Sequence, residues 1–186
     1  MPRPTVLALG YSEASMLLRQ PRGAGGIIGV ISICGAREFA VEAADVPHRL
    51  ALRFDDVDVP DPSDTVAMLR AHSRQKWASE VGRPLTPPTL ADAEQIVAFA
   101  RSLRDVDGGG GGTVLCHCGA GMSRSPAAAL LCLATWTEPG DERWCVDELR
   151  RIRPSAIPLL GLVRLGDAVL DRQGRLTQAV VEAMRR

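Results

Sequence analysis

Lysine, aromatic side chains, net charge and long apolar runs are all scarce in this 186-residue chain, and each scarcity excludes something. The 22 Lys and Arg residues balance 22 Asp and Glu, giving a formal net charge of zero. Without a global basic field, the expectation is no nucleic-acid partner and no membrane partner. Any anion must therefore be gripped locally. No run of apolar residues reaches spanning length, and the first apolar stretch, Thr5 to Gly10, is shorter than a signal-peptide core. The five cysteines (34, 116, 118, 132 and 145) form an odd set with no regular framework, which points to a reducing cytoplasm rather than a secreted scaffold. All but one of the basic residues are Arg, the exception being Lys76. Nothing functional follows from that skew.

What is present is globular: 46% of residues are apolar and 24% charged. The length suits one domain, 1–186. There is no internal repeat, and the five glycines from Gly108 to Gly112 read as a loop tip. Thr5 to Leu9 is a short apolar run. A helical stretch, Ser12 to Arg19, ends at the Gly23 to Gly26 cluster. Ile27 to Cys34 is a buried strand by its β-branched content, and Arg49 to Phe54 alternates as a third strand. Thr89 opens a helix with a capping box, and Leu90, Ala93, Ile96, Val97, Ala100 and Leu103 form its apolar stripe. Thr113 to Cys116 is a fourth strand. Ser125 to Trp136 is apolar on all sides, as a central buried helix is. Further helices are expected near 141–152, 156–171 and 176–184. The predicted class is α/β: a single, mainly parallel central sheet of four or five strands flanked by helices. The segment 60–88, proline-bounded with a helix around Asp64 to Glu80, reads either as an insertion or lid or as a solvated surface excursion.

The chemistry concentrates in His117-Cys118-Gly119-Ala120-Gly121-Met122-Ser123-Arg124-Ser125, between the last strand and the buried helix that begins at Pro126. Proline suits a first helical turn because its missing N–H would have had no partner there. A glycine-containing loop at a helix N-terminus turns successive N–H groups inward and binds a phosphate-like anion. The expected phosphate-binding residues are Gly119, Ala120, Gly121, Met122, Ser123 and Arg124, with the Arg124 guanidinium closing the ring. The same donors favour the thiolate of Cys118, the nucleophilic form of a cysteine. A thiolate beneath a bound phosphoryl group is placed for in-line attack, and those donors also receive the charge that builds up in the transition state. Ser125 is placed to donate to the sulfur, and His117 to order the loop.

His-Cys-(five residues)-Arg-Ser resembles the signature loop of the cysteine-dependent protein tyrosine phosphatase superfamily. The short chain is similar to its dual-specificity-like branch, small bacterial members above all. A chance match to four fixed positions has a probability on the order of one in ten thousand. The stretch from Arg151 to Leu176 also resembles the bacterial group, so the likeness runs from about Ile27 to the end. The resemblance implies a metal-independent phosphomonoester hydrolase, most readily a protein phosphotyrosine phosphatase, with no cofactor. It further implies a phosphorylated protein or small phosphomonoester as substrate, and an upstream Asp as general acid and base. Phe54-Asp55-Asp56 is similar to the acid loop of small members and points to Asp56, with Asp55 and Asp58 as alternatives. The Trp-Pro-Asp tripeptide of the larger tyrosine phosphatases is absent. The span from Asp56 to Cys118 is longer than in compact members, the excess lying within 60–88. Lysines common in the loops of inositol-lipid phosphatases are missing here. With one Tyr and three Phe in the chain, aromatic walls for a phosphotyrosine ring are not evident.

Two other functions remain open. A rhodanese-like sulfurtransferase also seats a cysteine in an anion-cradling loop, but needs neither the upstream Asp nor Ser125. A phosphate-binding pseudophosphatase would keep the loop without turnover. Cys116, His117 and Cys118 lack the second ligand pair that tetrahedral zinc wants, so no metal site is expected. Cys34 or Cys116 either form a protective disulfide with an oxidised Cys118 or are core thiols. Arg70, Arg74, Lys76 and Arg83 either guide an acidic substrate or form a solvated helix face. Trp136 and Trp144 are expected in the core. His48 and His72 have no readable partner.

Overall fold

The computed structural model describes residues 3–20, 26–104, 106 and 112–185. Four strands, β1 (Thr5–Gly10), β2 (Ile27–Cys34), β3 (His48–Arg53) and β4 (Thr113–Cys118), pair in the order β1-β4-β2-β3. Every pairing is parallel. β2 is buried along all eight residues, as a strand covered on both faces must be. Of the four-or-five-strand expectation, four are present among the described residues. The predicted glycine loop tip, Gly108 to Gly112, lies outside them except for Gly112, as does most of the Gly23 to Gly26 break.

The described residues also form seven helices, α1 (Tyr11–Arg19), α2 (Thr65–Glu80), α3 (Leu90–Ser102), α4 (Arg124–Thr135), α5 (Glu142–Ile152), α6 (Leu160–Val169) and α7 (Arg175–Met184). One face of the sheet is covered by α3, α4 and α5, with α6 and α7 packed on those helices, and the other by α1 and the stretch around Val41 and Val46. α3 begins with the anticipated box: Thr89 Oγ1 accepts from the Asp92 N–H while Asp92 accepts from the Thr89 N–H. α4 is buried through Ala134 and runs through the main core. Each of its buried leucines contributes about 1.5–3 kcal/mol on leaving water.

Three expectations need correction. Trp136 is in the core, its Nε1 donating to Ala100 O at 2.8 Å, but Trp144 is exposed. Glu142, Cys145, Val146 and Leu149 form the buried stripe of α5, and Trp144 lies off it. Leu90 is exposed at the first turn of α3. α6 starts at Leu160 rather than 156, because the preceding residues run extended and bond to the loop before α4: Ile157 N–H donates to Met122 O at 2.8 Å and Leu159 N–H to Ser123 O at 3.3 Å. Among the described residues no helix is long and apolar enough to cross a membrane.

Candidate active site

β4 lies between β1 and β2, so its carboxyl end is flanked on both sides by chain leaving the sheet. In open parallel sheets that edge is where ligands bind. Cys118 is the last residue of β4, opposite Gly10 of β1, and His117 is opposite Ser32 of β2. The loop 119–123 then turns directly into α4.

The carbonyls of this loop are engaged from outside. Tyr11 N–H donates to Gly119 O at 3.0 Å, while Met122 O and Ser123 O take the bonds from Ile157 and Leu159. Of the loop amides, Gly121 N–H donates to Cys118 Sγ at 3.3 Å. Gly121 has φ +75, and a Cβ there would run into the backbone of Gly10, so both its conformation and its surroundings require glycine. A Cβ on Gly119 would strike the Glu38 carboxylate.

Ser125 Oγ lies 3.2 Å from Cys118 Sγ and donates to Leu9 O at 3.1 Å. A hydroxyl has one hydrogen, so it cannot donate to both at once. With a thiol, S–H donates to Oγ and Oγ–H serves Leu9. With a thiolate, the hydroxyl hydrogen can turn to the sulfur.

Arg124 is buried, and its guanidinium is clamped by Glu38: Nη1 donates to Oε2 at 2.6 Å and Nη2 to Oε1 at 2.8 Å. Nη1 also donates to Phe54 O at 3.2 Å, whereas the buried Nε has no partner among the described residues. Burial works against the charge on Arg124, but the Glu38 bonds and the nearby Cys118 and Asp56 outweigh it and raise its pKa. Glu38 is held below the usual carboxylate value chiefly by Arg124, with Gly35 N–H donating to Oε2 at 2.6 Å, against the opposing effect of burial. An unmade buried donor costs about 1–3 kcal/mol, and an oxyanion on the loop would satisfy Nε and recover that cost.

The three aspartates separate cleanly. Asp56 Oδ1 accepts from Ser123 Oγ at 2.6 Å, at the mouth of the loop. Asp55 is tied to Thr86, its N–H donating to Thr86 O at 2.7 Å and its Oδ2 accepting from Thr86 N–H at 2.8 Å. Asp58 Oδ1 accepts from Gly161 N–H at 2.5 Å, capping α6. The hydroxyl of Ser123 is therefore engaged with Asp56.

His117 is fully buried. Its Nε2 is 2.8 Å from Ser32 Oγ and accepts from Val41 N–H at 3.4 Å. Burial lowers its pKa, partly opposed by the Cys118 backbone and Glu38, so the ring is neutral at pH 7 and ties β4 to β2. Cys116 and Cys34 are free, and burial raises both thiols, the former well above its ordinary value. Among the described residues no cluster of three His, Cys, Asp or Glu side chains is placed to hold a metal ion.

Solved structures share this arrangement of strands and helices. The Yvh1 phosphatase domain from Chaetomium thermophilum superposes with a TM-score of 0.54 at 19% identity, covering 92% of this chain and 93% of that one. Human DUSP28 gives 0.55 at 16%, over 91% and 96%. DUSP15 gives 0.53 at 21%, over 96% and 92%. The fold is that of the dual-specificity phosphatases. No protein-family model matches the chain, and no curated protein matches it in sequence.

Sequence reasoning missed three residues beside the loop of this phosphatase fold. Glu38 sits just beyond β2, and only the β2–β4 pairing brings it to Arg124. Tyr11 follows β1, its ring edge-on to His117 with centroids 6.3 Å apart. Phe39, 76% exposed, follows Glu38. Tyr11, Phe39, Glu38 and Gly119 line a slot of about 240 Å³. Tyr11 and Phe39 come from the chain leaving β1 and β2, the two strands that flank β4.

Proposed function

We propose that the chain is a metal-independent phosphomonoester hydrolase working through a cysteinyl-phosphate. The observation that carries this reading is the pairing of Cys118 Sγ, which accepts the Gly121 N–H, with a buried Arg124 whose Nε is unspent. The loop amides and Arg124 hold the three non-bridging oxygens. The Cys118 thiolate attacks phosphorus in line, the S–P bond forms as the P–O bond to the leaving group breaks, and Asp56 gives that oxygen its proton. Asp56, now a carboxylate, takes a proton from a water that attacks the thiophosphate. The S–P bond breaks and phosphate departs. The sulfur leaves as thiolate, met by Gly121 N–H and the Ser125 hydroxyl.

Phosphotyrosine on a protein is the substrate this site suits best. A phenyl ring carrying the phosphate fits between Tyr11 and Phe39, where aromatic pairing adds about 0.5–1.5 kcal/mol beyond the area buried. The contact of Asp56 with the loop favours phosphatase chemistry over the sulfurtransferase alternative, which needs no carboxylate there. The intact Cys118, Arg124 and Asp56 set argues against a pseudophosphatase. Free, buried thiols suit a reducing compartment such as the cytoplasm.

The deciding experiment is rapid acid quench with ³²P-labelled phosphotyrosine peptide in excess chelator. Label should appear on Cys118, and Cys118→Ser should abolish turnover. Turnover that survives Cys118→Ser, or thiosulfate cleavage without phosphatase activity, would overturn the reading.

A further inference from the structure

We infer that Glu13 and Arg153 are positioning residues for the proposed reaction, an ion pair that joins into one brace the two stretches of chain holding the signature loop from outside. The inference rests on the phosphatase reading in taking that loop as the anion cradle. Glu13 lies in the first turn of α1, three residues after Gly10, which has no side chain with which to cap the helix. Its Oε2 accepts the Gly10 N–H at 2.8 Å. Arg153 closes α5, because the proline after it disfavours helical backbone, and it is turned out at φ −138 and ψ 86. From there its Nη1 donates to Glu13 Oε1 at 2.8 Å across 140 positions of sequence.

Each end of this pair is one step from the loop. On the α1 side, Gly10 is opposite Cys118 in the sheet, and a Cβ on it would come within 3.1 Å of the Ala120 carbonyl, while the next residue, Tyr11, holds Gly119 O. On the Arg153 side, Ala156 N–H donates to Arg153 O at 3.0 Å, and Ile157 and Leu159 hold Met122 O and Ser123 O. No other hydrogen bond among the described residues joins α1 to the chain beyond α4.

Each Glu13 oxygen thus has one partner, one on either side of the brace. The Arg153 side chain is 19% exposed, and its Nε is buried with no partner among the described residues, so Glu13 alone holds the guanidinium. Arg153 and then the Gly10 amide keep the Glu13 carboxyl below its ordinary value, against burial, so it is charged at neutral pH. A pair half open to solvent adds little to global stability. Its consequence is local. With the brace cut, the loop spends part of its time away from the anion-binding form, and apparent affinity falls by the populated fraction while the bound state is unaltered.

The test uses the full chain, with orthovanadate as the anion and p-nitrophenyl phosphate as the substrate. Arg153→Ala should weaken orthovanadate about tenfold and raise KM in step, with kcat within about threefold of wild type and circular dichroism unchanged. Arg153→Lys should recover most of the affinity. Glu13→Ala should cost at least as much as Arg153→Ala, and the double variant no more than Glu13→Ala, since either change cuts the same link. Amide exchange at Ile157 and Leu159, followed by NMR, should speed up in all three alanine variants. If Arg153→Ala loses its fold, Arg153→Gln serves, with the same expected direction. Wild-type affinity in both single variants, or losses that add in the double variant, would overturn the inference while the wild type still turns over. A wild type with neither binding nor turnover would overturn the phosphatase reading instead, and unchanged exchange at Ile157 and Leu159 would then overturn the brace as well.

Discussion

The loop that carries Cys118 and the loop that carries Asp56 face each other, but they are held very differently. The first is tethered from three directions, by Tyr11, by Ile157 and Leu159, and by the strand pairing of Cys118 with Gly10. The second meets the first through two side-chain bonds, Arg124 to Phe54 O and Ser123 to Asp56, while Asp55 and Asp58 are anchored to Thr86 and Gly161. The proposed anion cradle and nucleophile are thus built into the core, and Asp56, the proposed proton donor, is attached to it by one bond. Damage to the first loop should abolish chemistry, and damage to the second should reduce it in proportion to how badly the leaving group needs a proton.

The sharpest probe of the rigid side is Arg124→Lys. A lysine keeps the charge but loses the planar fork, so both the Glu38 clamp and the side-by-side anion contact go. We expect kcat on p-nitrophenyl phosphate to fall by about a thousandfold, in line with lost transition-state donors. Asp56→Asn should follow, with a loss of about a hundredfold or more and an altered pH–rate profile. Asp55→Asn and Asp58→Asn should instead show up in thermal unfolding, with turnover falling less than about tenfold. A larger loss of turnover from Asp55→Asn than from Asp56→Asn would reverse the assignment.

Glu38→Gln probes the junction between the two sides. Phosphate or vanadate binding should weaken by about tenfold, because Arg124 loses the charged partner that orients it. The pH dependence has a definite sign. The Glu38 carboxyl titrates below its ordinary value in the folded protein, so the pair's contribution is complete above that ordinary value and disappears as pH falls through the depressed one. The difference in melting temperature between wild type and Glu38→Gln should be constant near neutrality and shrink only in acid. The smallest effect is expected from Ser123→Ala. Aryl phosphates with good leaving groups should be hydrolysed within about threefold of wild type, with a larger loss for alkyl phosphates. Equal losses for both would show that Ser123 acts on the anion rather than through Asp56.

Much of the scaffold could be read from local pattern, because local pattern decides it. β2 is rich in β-branched residues, the α3 start is a side-chain box, and the signature loop is marked by its own glycines and the proline after it. Glu38, Tyr11 and Phe39 were not legible because their roles depend on strand order: Glu38 meets Arg124 across 86 positions of sequence. The exposure of Trp144 was readable in principle, since the buried stripe of α5 skips it, but hydrophobic character alone placed it inside. Choosing among Asp55, Asp56 and Asp58 required knowing where Thr86, Ser123 and Gly161 lie.

The insertion of β4 between β1 and β2 also governs the order of assembly. Thr5 and Thr113 touch through their hydroxyls although 108 positions separate them. The loop after β4 then depends on Ile157 and Leu159, made later still. A nascent chain can form β2 and β3 early but must wait for its second half before the nucleophile is seated, and pairings so distant in sequence are slow to close. The sulfur of Cys118 is consequently among the last atoms of the molecule to be seated, and a chain truncated before residue 157 should carry it in a loosely held loop.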